Sequence, residues 1–197
     1  MKLFPLVATM FAMSFASDTV AQKYKQLMID IKSQNFKLLD VLHHFCSGMK
    51  FVYTQDSMDG LLVVRQSIGG AGYSAWSGIP RMIEDYSATV TYEGDNIVMA
   101  QQTINFLLKE SKKAITGKSR TKFDEVFQYL SELDSVGQLK CKASSPEHFM
   151  DINLIEEALR VNVSHRLNYL LKMIREHKNI SKKDFRALHF GAHPVKT

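Results

Sequence analysis

Cysteine is scarce: Cys46 and Cys141 are the only two in 197 residues. Two thiols cannot build a disulfide scaffold, and neither stands in a C-x-x-C pair that would suit a metal. A reducing compartment is the expectation. Strand-like alternation is equally scarce, limited to the short "ATVTY" of Ala88–Tyr92. No apolar run reaches the ~20 residues of a membrane span, so none is expected. Charge of one sign is in only modest excess, at +5, with lysines densest in Lys109–Lys118 and Lys178–Lys183. These stretches lack the interleaved aromatics of a single-strand binder and read as solvated helix faces or tails. No nucleic-acid partner is expected.

What is present is helical periodicity. A hydrophobic fraction of 45% and a charged fraction of 23% are those of an ordinary globular chain, long enough for one sizeable core. A first helix is predicted over 3–33, with Phe4, Val7, Phe11, Phe15, Val20, Tyr24, Leu27 and Ile31 as its buried stripe. Asn35 offers an N-cap for a second, where Leu38, Leu42, Phe45, Met49 and Val52 recur at steps of four and three. That helix passes through Gly60 and stops at Gly69–Gly70. An irregular stretch then runs to about Asn96. A third helix follows with Ile97, Ala100, Ile104, Leu107 and Leu108 on one face, and residues 111–120 read as a connection. Next come a helix near 120–135, a polar linker and a last long helix striped by Ile155, Leu159, Val163, Leu167, Leu170 and Ile174. The fold class is all-α, most simply a helix bundle.

Two readings compete for the N-terminus. "MKLFPLVATMFAMSFAS" has the basic start, apolar run and small residues of a signal peptide. Sequons at Asn162 and Asn179 would be usable in a secreted chain. Against this, the apolar period continues to Ile31, as in the stripe of one long helix. Several motifs fail on context. Gly70-Ala-Gly-Tyr-Ser-Ala75 fits a dinucleotide fingerprint in letters only, since its run-in is helical and Gly78 and Pro80 break any helix opening inside it. "ITGKS" lacks the first glycine of a phosphate-binding loop. His43–His44 point apart on a helix, and Gly191 and Pro194 disrupt the His189, His193 spacing, so ordinary core or surface histidines are expected. The ten methionines fall mostly on apolar stripes as gap-fillers.

The insert from Gln66 to Asn96 is harder to set aside, with five glycines, three tyrosines and four acids. Loops of this length are uncommon in compact domains and are often functional. Glu93 precedes Gly94 just ahead of a helix start. A carboxylate beside exposed N–H donors can take a proton from carbon while the donors hold the developing enolate. A glutamate near a helix N-terminus is more often a dipole or capping partner.

At these residues the sequence resembles a known family. "GGAGYSAWSGIP" followed by "TYEGDNIVMAQQTINFLLK" is similar to the C-terminal helical region of peroxisomal acyl-CoA oxidases, of the flavin-dependent acyl-CoA dehydrogenase/oxidase superfamily. "KLFPLVATMFAMSF" resembles the first helix of that region, which favours a core helix over a targeting segment. The similarity covers roughly Lys2 to Lys109, while the "EEALR" helix resembles the start of a second helical domain only loosely. The resemblance implies that Glu93 removes the α-proton of a fatty acyl-CoA thioester while the β-hydrogen leaves as hydride to FAD, which oxygen reoxidises to give hydrogen peroxide. It implies that Gly94 lies beside the thioester and that Asp95 and Asn96 lie near the flavin. Gln66, Gly69 and Gly70 match a Q-x-x-G-G turn that approaches FAD held by the partner subunit of a dimer.

The chain departs from the family pattern at Ala71, Ala88, Val90 and Asn105, where His, Pro, Cys and Arg are usual. Family members also carry an N-terminal helical domain and a middle β-domain, and "HPVKT" is not a Ser-Lys-Leu address. The expectation is therefore a partial peroxisomal oxidase, silent as an isolated chain. Residues 1–113 would form the helical bundle domain, 114–147 a linker with one helix, and 148–197 part of a second helical domain. The alternatives are a non-catalytic helical subunit pairing with a full-length oxidase, and a secreted helical protein with two glycans.

Overall fold

The structure is a computed structural model that describes residues 2–115, 127, 129, 130, 133 and 142–176. Among these residues there are helices and 3-10 turns and no strand. The chain divides into two compact units, Met1–Phe106 and Leu107–Thr197. The expected helix near 120–135 lies largely outside the described residues, as do most of "ITGKS", the His189 and His193 pair, Cys141 and the Asn179 sequon.

In the first unit α1 spans Phe4–Lys32 and α2 spans Leu39–Ser67. Pro5 falls in the first turn of α1, where a missing N–H costs nothing. The two helices run antiparallel. Tyr53 on α2 donates its hydroxyl to the Met13 carbonyl at 2.7 Å, and Gly60 faces Leu6, whose Cδ2 would touch an added Cβ at 3.4 Å. Gly60 thus weakens helix propensity by about 1 kcal/mol but lets the helices close on each other. The expected Asn35 cap is not made. Asn35 instead accepts from the Lys37 N–H at 3.3 Å, tightening the link, and α2 begins after Leu38 without a side-chain cap.

The buried stripe expected of α1 is a second correction. Phe4 is 76% exposed, and Val7, Phe11, Phe15, Tyr24 and Ile31 are exposed too; of the stripe only Leu27 is buried. The stripe is not one side: the step of five from Phe15 to Val20 turns it around the helix, so Phe4, Phe11 and Phe15 face away from α2, which meets Leu6, Met13 and Ser17. By length and composition alone α1 would also pass as a membrane span, against the expectation that no segment does; the core helix of a soluble protein or a signal sequence passes the same test.

The stretch expected to be irregular is mostly built. A 3-10 turn covers Gly69–Tyr73 and another Ala75–Ser77, α3 spans Ile79–Ser87, and a third 3-10 turn covers Ala88–Val90 where a strand fragment had been suggested. Gly78, at φ 72, reverses the chain and precedes α3, and Pro80 sits in its first turn. Proline opens that helix instead of breaking it. Next, α4 spans Asn96–Ile115, so the first part of the expected 111–120 connection is helix. His44 on α2 is buried, stacks on Phe106 at 4.6 Å and has Nδ1 3.1 Å from the Thr103 carbonyl oxygen. That is a satisfied core histidine.

In the second unit a 3-10 turn at Pro146–Met150 leads into α5, Ile152–Glu176. Its buried side is Ser164, Leu167 and Leu171, offset from the expected stripe, since Ile155, Leu159 and Val163 are exposed. Asn168 Nδ2 donates to the Leu133 carbonyl at 3.3 Å, and Phe127, Leu130 and Leu133 are buried. The Asn162 sequon lies within α5, with Ser164 only 2% exposed. A folded helix with a buried serine is a poor substrate for glycan transfer.

Candidate active site

The turn between the third 3-10 segment and α4 carries Glu93 to Asn96. Thr91 and Tyr92 N–H groups both close on the Ala88 carbonyl at 3.0 Å, and the chain then takes left-handed φ values of 57 at Glu93 and 116 at Gly94. Asp95 caps α4, its Oδ1 accepting from the Ile97 N–H at 2.8 Å. Each residue here has a separate task. Gly94 is bare because its φ of 116 strains any other residue; an added Cβ would also stand 2.5 Å from Met99 Cε, the end of a flexible side chain. Asn96 is turned inward at 7% exposure, its Oδ1 accepting from Lys50 Nζ at 2.8 Å and Thr54 Oγ1 at 3.1 Å. Its Nδ2 is buried without a partner. The Lys50 ammonium also donates to the Gly94 carbonyl.

Glu93 differs from its neighbours. Its side chain is exposed and makes no hydrogen bond or ion pair with any described residue. Gln34 is the only other non-glycine at positive φ among the described residues, and its N–H bonds Ile31 to close α1, where a left-handed residue is common.

The other expected site residues lie elsewhere. Gln66 ends α2, and Gly69 and Gly70 open the 3-10 turn after it, all three exposed. An added Cβ at either glycine meets nothing within 4 Å, which leaves an open surface for a bulky group. Gly72 is the opposite case, with an added Cβ 2.1 Å from the Arg65 carbonyl oxygen. Arg65 lies over the Tyr73 ring at 5.0 Å and its Nε is buried and unpartnered. From Thr54, which touches Asn96, to Gln66 is twelve residues of helix, roughly 18 Å. The structure therefore gathers Glu93, Gly94, Asp95 and Asn96 at one place and Gln66, Gly69 and Gly70 at another. Lys50 and Thr54 were missed by the sequence reading; their i, i+4 spacing on a polar side of α2 was the available signal.

Comparison with known proteins bears on the family and the fold. The sequence model described as "Acyl-CoA oxidase, C-alpha1 domain" matches residues 1–108. Peroxisomal acyl-coenzyme A oxidase 1 of Phascolarctos cinereus is 34% identical over 134 residues, 68% of this chain and 20% of that protein. Its counterpart in Rattus norvegicus is 30% identical over 179 residues, 89% of this chain and 27% of that protein. The chain thus spans between a fifth and just over a quarter of these relatives. Among solved structures, Arabidopsis thaliana acyl-CoA oxidase 1 matches 96% of this chain and 28% of its own, with TM-score 0.87 and 23% identity. Acyl-CoA oxidase-1 of Caenorhabditis elegans, solved with FAD and ATP, matches 94% and 33%, with TM-score 0.59 and 21% identity. At these identities the structural likeness speaks to the fold.

Proposed function

Because the chain belongs to the acyl-CoA oxidase family through its C-alpha1 domain, we propose that it carries the catalytic base of an FAD-dependent oxidation of fatty acyl-CoA to trans-2-enoyl-CoA, in peroxisomal β-oxidation. The observation that carries this reading is Glu93 itself. A non-glycine residue in left-handed backbone costs on the order of 1 kcal/mol and persists where something else requires it. Glycine or asparagine would suit the turn better, and Glu93 gives the fold nothing in return.

In this role Glu93 takes the α-proton of the thioester. Gly94, at a φ of 116 that glycine adopts readily, would place its backbone beside the thioester. Asp95 fixes the start of α4 and so the direction from which Glu93 projects. FAD held beside Gln66, Gly69 and Gly70 would supply the hydride acceptor for the β-hydrogen and the route for electrons to oxygen, with hydrogen peroxide as the product. The residues that fit such a group are Gly69 and Gly70, which present a bare surface beside Gln66. The ~18 Å between the two places suits a dimer in which Gln66, Gly69 and Gly70 face the partner's FAD. Residues 1–113 form the oxidase bundle domain on this reading, with 114–147 a linker and 148–197 part of a second helical domain. Glu93 stands in open solvent here, and a lone base supplies only ~10²–10⁴-fold, so the isolated chain is expected to be silent.

Grafting residues 1–108 in place of the matching segment of a full-length relative tests the base. Peroxide formation from palmitoyl-CoA should fall at least ~10²-fold in Glu93→Gln with FAD content unchanged. Equal activity in the variant would refute the assignment. A second reading, a non-catalytic subunit docking on a longer oxidase, is favoured by the exposed Phe4, Phe11 and Phe15 and by Trp76, which is 100% exposed. Co-elution with a longer oxidase on a sizing column checks it, and separate elution counts against it.

A further inference from the structure

The backbone that presents Glu93 is held from the neighbouring helix. Two successive left-handed residues, at φ 57 and 116, form a turn that Asp95 ties to the start of α4 and Asn96 ties to α2. Lys50 reaches it from α2, its ammonium donating to the Gly94 carbonyl and, at 2.8 Å, to Asn96 Oδ1. Thr54, one turn further along α2, donates to the same Asn96 oxygen at 3.1 Å. Charge-assisted hydrogen bonds of this kind are roughly twice as strong as neutral ones. Lys50 is half-buried, which shields both bonds from water.

We propose that Lys50 is the positioning residue for the Glu93 carboxylate. It pins the peptide following Gly94 to α2, which seats Gly94 against Met99 and fixes the direction of the preceding side chain. Lys50 touches no substrate atom in this role and acts through Gly94 and Asn96. The inference rests on the reading of Glu93 as the base, but its structural half stands independently. A hydroxyl such as that of Thr54 cannot substitute, because it reaches Asn96 and not the Gly94 carbonyl.

The test uses the full chain and NMR. In the parent, the Met99 methyl should show a cross-relaxation contact to the Gly94 α-protons. Lys50→Met should abolish that contact while the His44–Phe106 contact remains, Lys50→Arg should restore it, and Thr54→Val should leave it in place. Lys50→Gln, shorter and uncharged, carries the same test if Lys50→Met does not fold. A Gly94–Met99 contact that survives in Lys50→Met or Lys50→Gln, or one lost equally in Thr54→Val, overturns the proposal. In the grafted oxidase, Lys50→Met should lower kcat about tenfold with KM within about twofold, and an unchanged kcat likewise overturns it. Failure of Glu93→Gln to reduce activity would remove the base while leaving the NMR result intact, so the two readings fail separately.

Discussion

Substituting alanine at three glycines of the turn after α2 should give three different outcomes from one chemical change. At Gly72 the new Cβ would stand 2.1 Å from the Arg65 carbonyl oxygen, about 0.9 Å inside the closest approach that real Cβ atoms make. The obstacle is backbone in the last turns of α2, so neither side yields by rotating a side chain. Overpacking of this kind costs ~1–3 kcal/mol, and the upper end applies where backbone must move. A loss of ~3 kcal/mol in a chain of this size lowers Tm by ~6–12 °C. At Gly70 the added methyl meets nothing and φ is ordinary, so alanine should be neutral or stabilising by up to ~1 kcal/mol through the unfolded chain. At Gly69 there is space, but φ is 61, and a cost near 1 kcal/mol is expected. Urea unfolding followed by far-UV circular dichroism ranks them, since the exposed Trp76 reports poorly on packing. Equal stability of the Gly72 and Gly70 variants would refute the close approach of the turn to α2. In the grafted oxidase, Gly70→Ala should stay folded yet lose FAD content, separating a glycine kept for packing from one kept for a ligand.

Two further outcomes follow from the contacts of α2. Tyr53→Phe removes the bond to the Met13 carbonyl and should cost ~0.5–1 kcal/mol, read as a lower urea midpoint with an unchanged slope. The lower end is expected because Ser17 also bonds that carbonyl at 2.8 Å. Burial lowers the pKa of His44, against the Thr103 carbonyl, which raises it. The unfolded chain therefore binds the proton more readily, so stability is full above the unfolded value of about 6.5 and is lost as pH falls below it, levelling off once the folded histidine titrates. The urea midpoint should drop between pH 7.5 and 5.5, and His44→Phe should show a smaller drop.

The helices were legible where apolar residues recur over many turns, as in α1, α2, α4 and α5. Which side of α1 is covered was not, because periodicity shows that Phe4, Phe11 and Phe15 share a side without showing what lies against it. The short elements failed for local reasons. Pro80 was read as a breaker, yet at the first turn of α3 its missing N–H has no helical partner to lose. Asn35 has the chemistry of a cap, and its oxygen went to a turn instead. Glu93, Gly94 and Asp95 are expected site residues through family resemblance; their exposure, capping and strain required coordinates. Asn96 was expected to face the flavin and proves to be held mainly by Lys50 and Thr54, a long-range pairing that no local pattern announces.

The four-letter run E-G-D-N joins one replaceable position to three that are not. A lineage that abandoned its chemistry would still be selected to keep glycine at the φ of 116 of Gly94, Asp95 at the helix start and Asn96 under Lys50. Drift would surface first at Glu93, where glycine or asparagine would relieve the backbone. If Glu93 is the base proposed above, then three matching letters testify to shared architecture, and the first separates a working catalyst from a retired one.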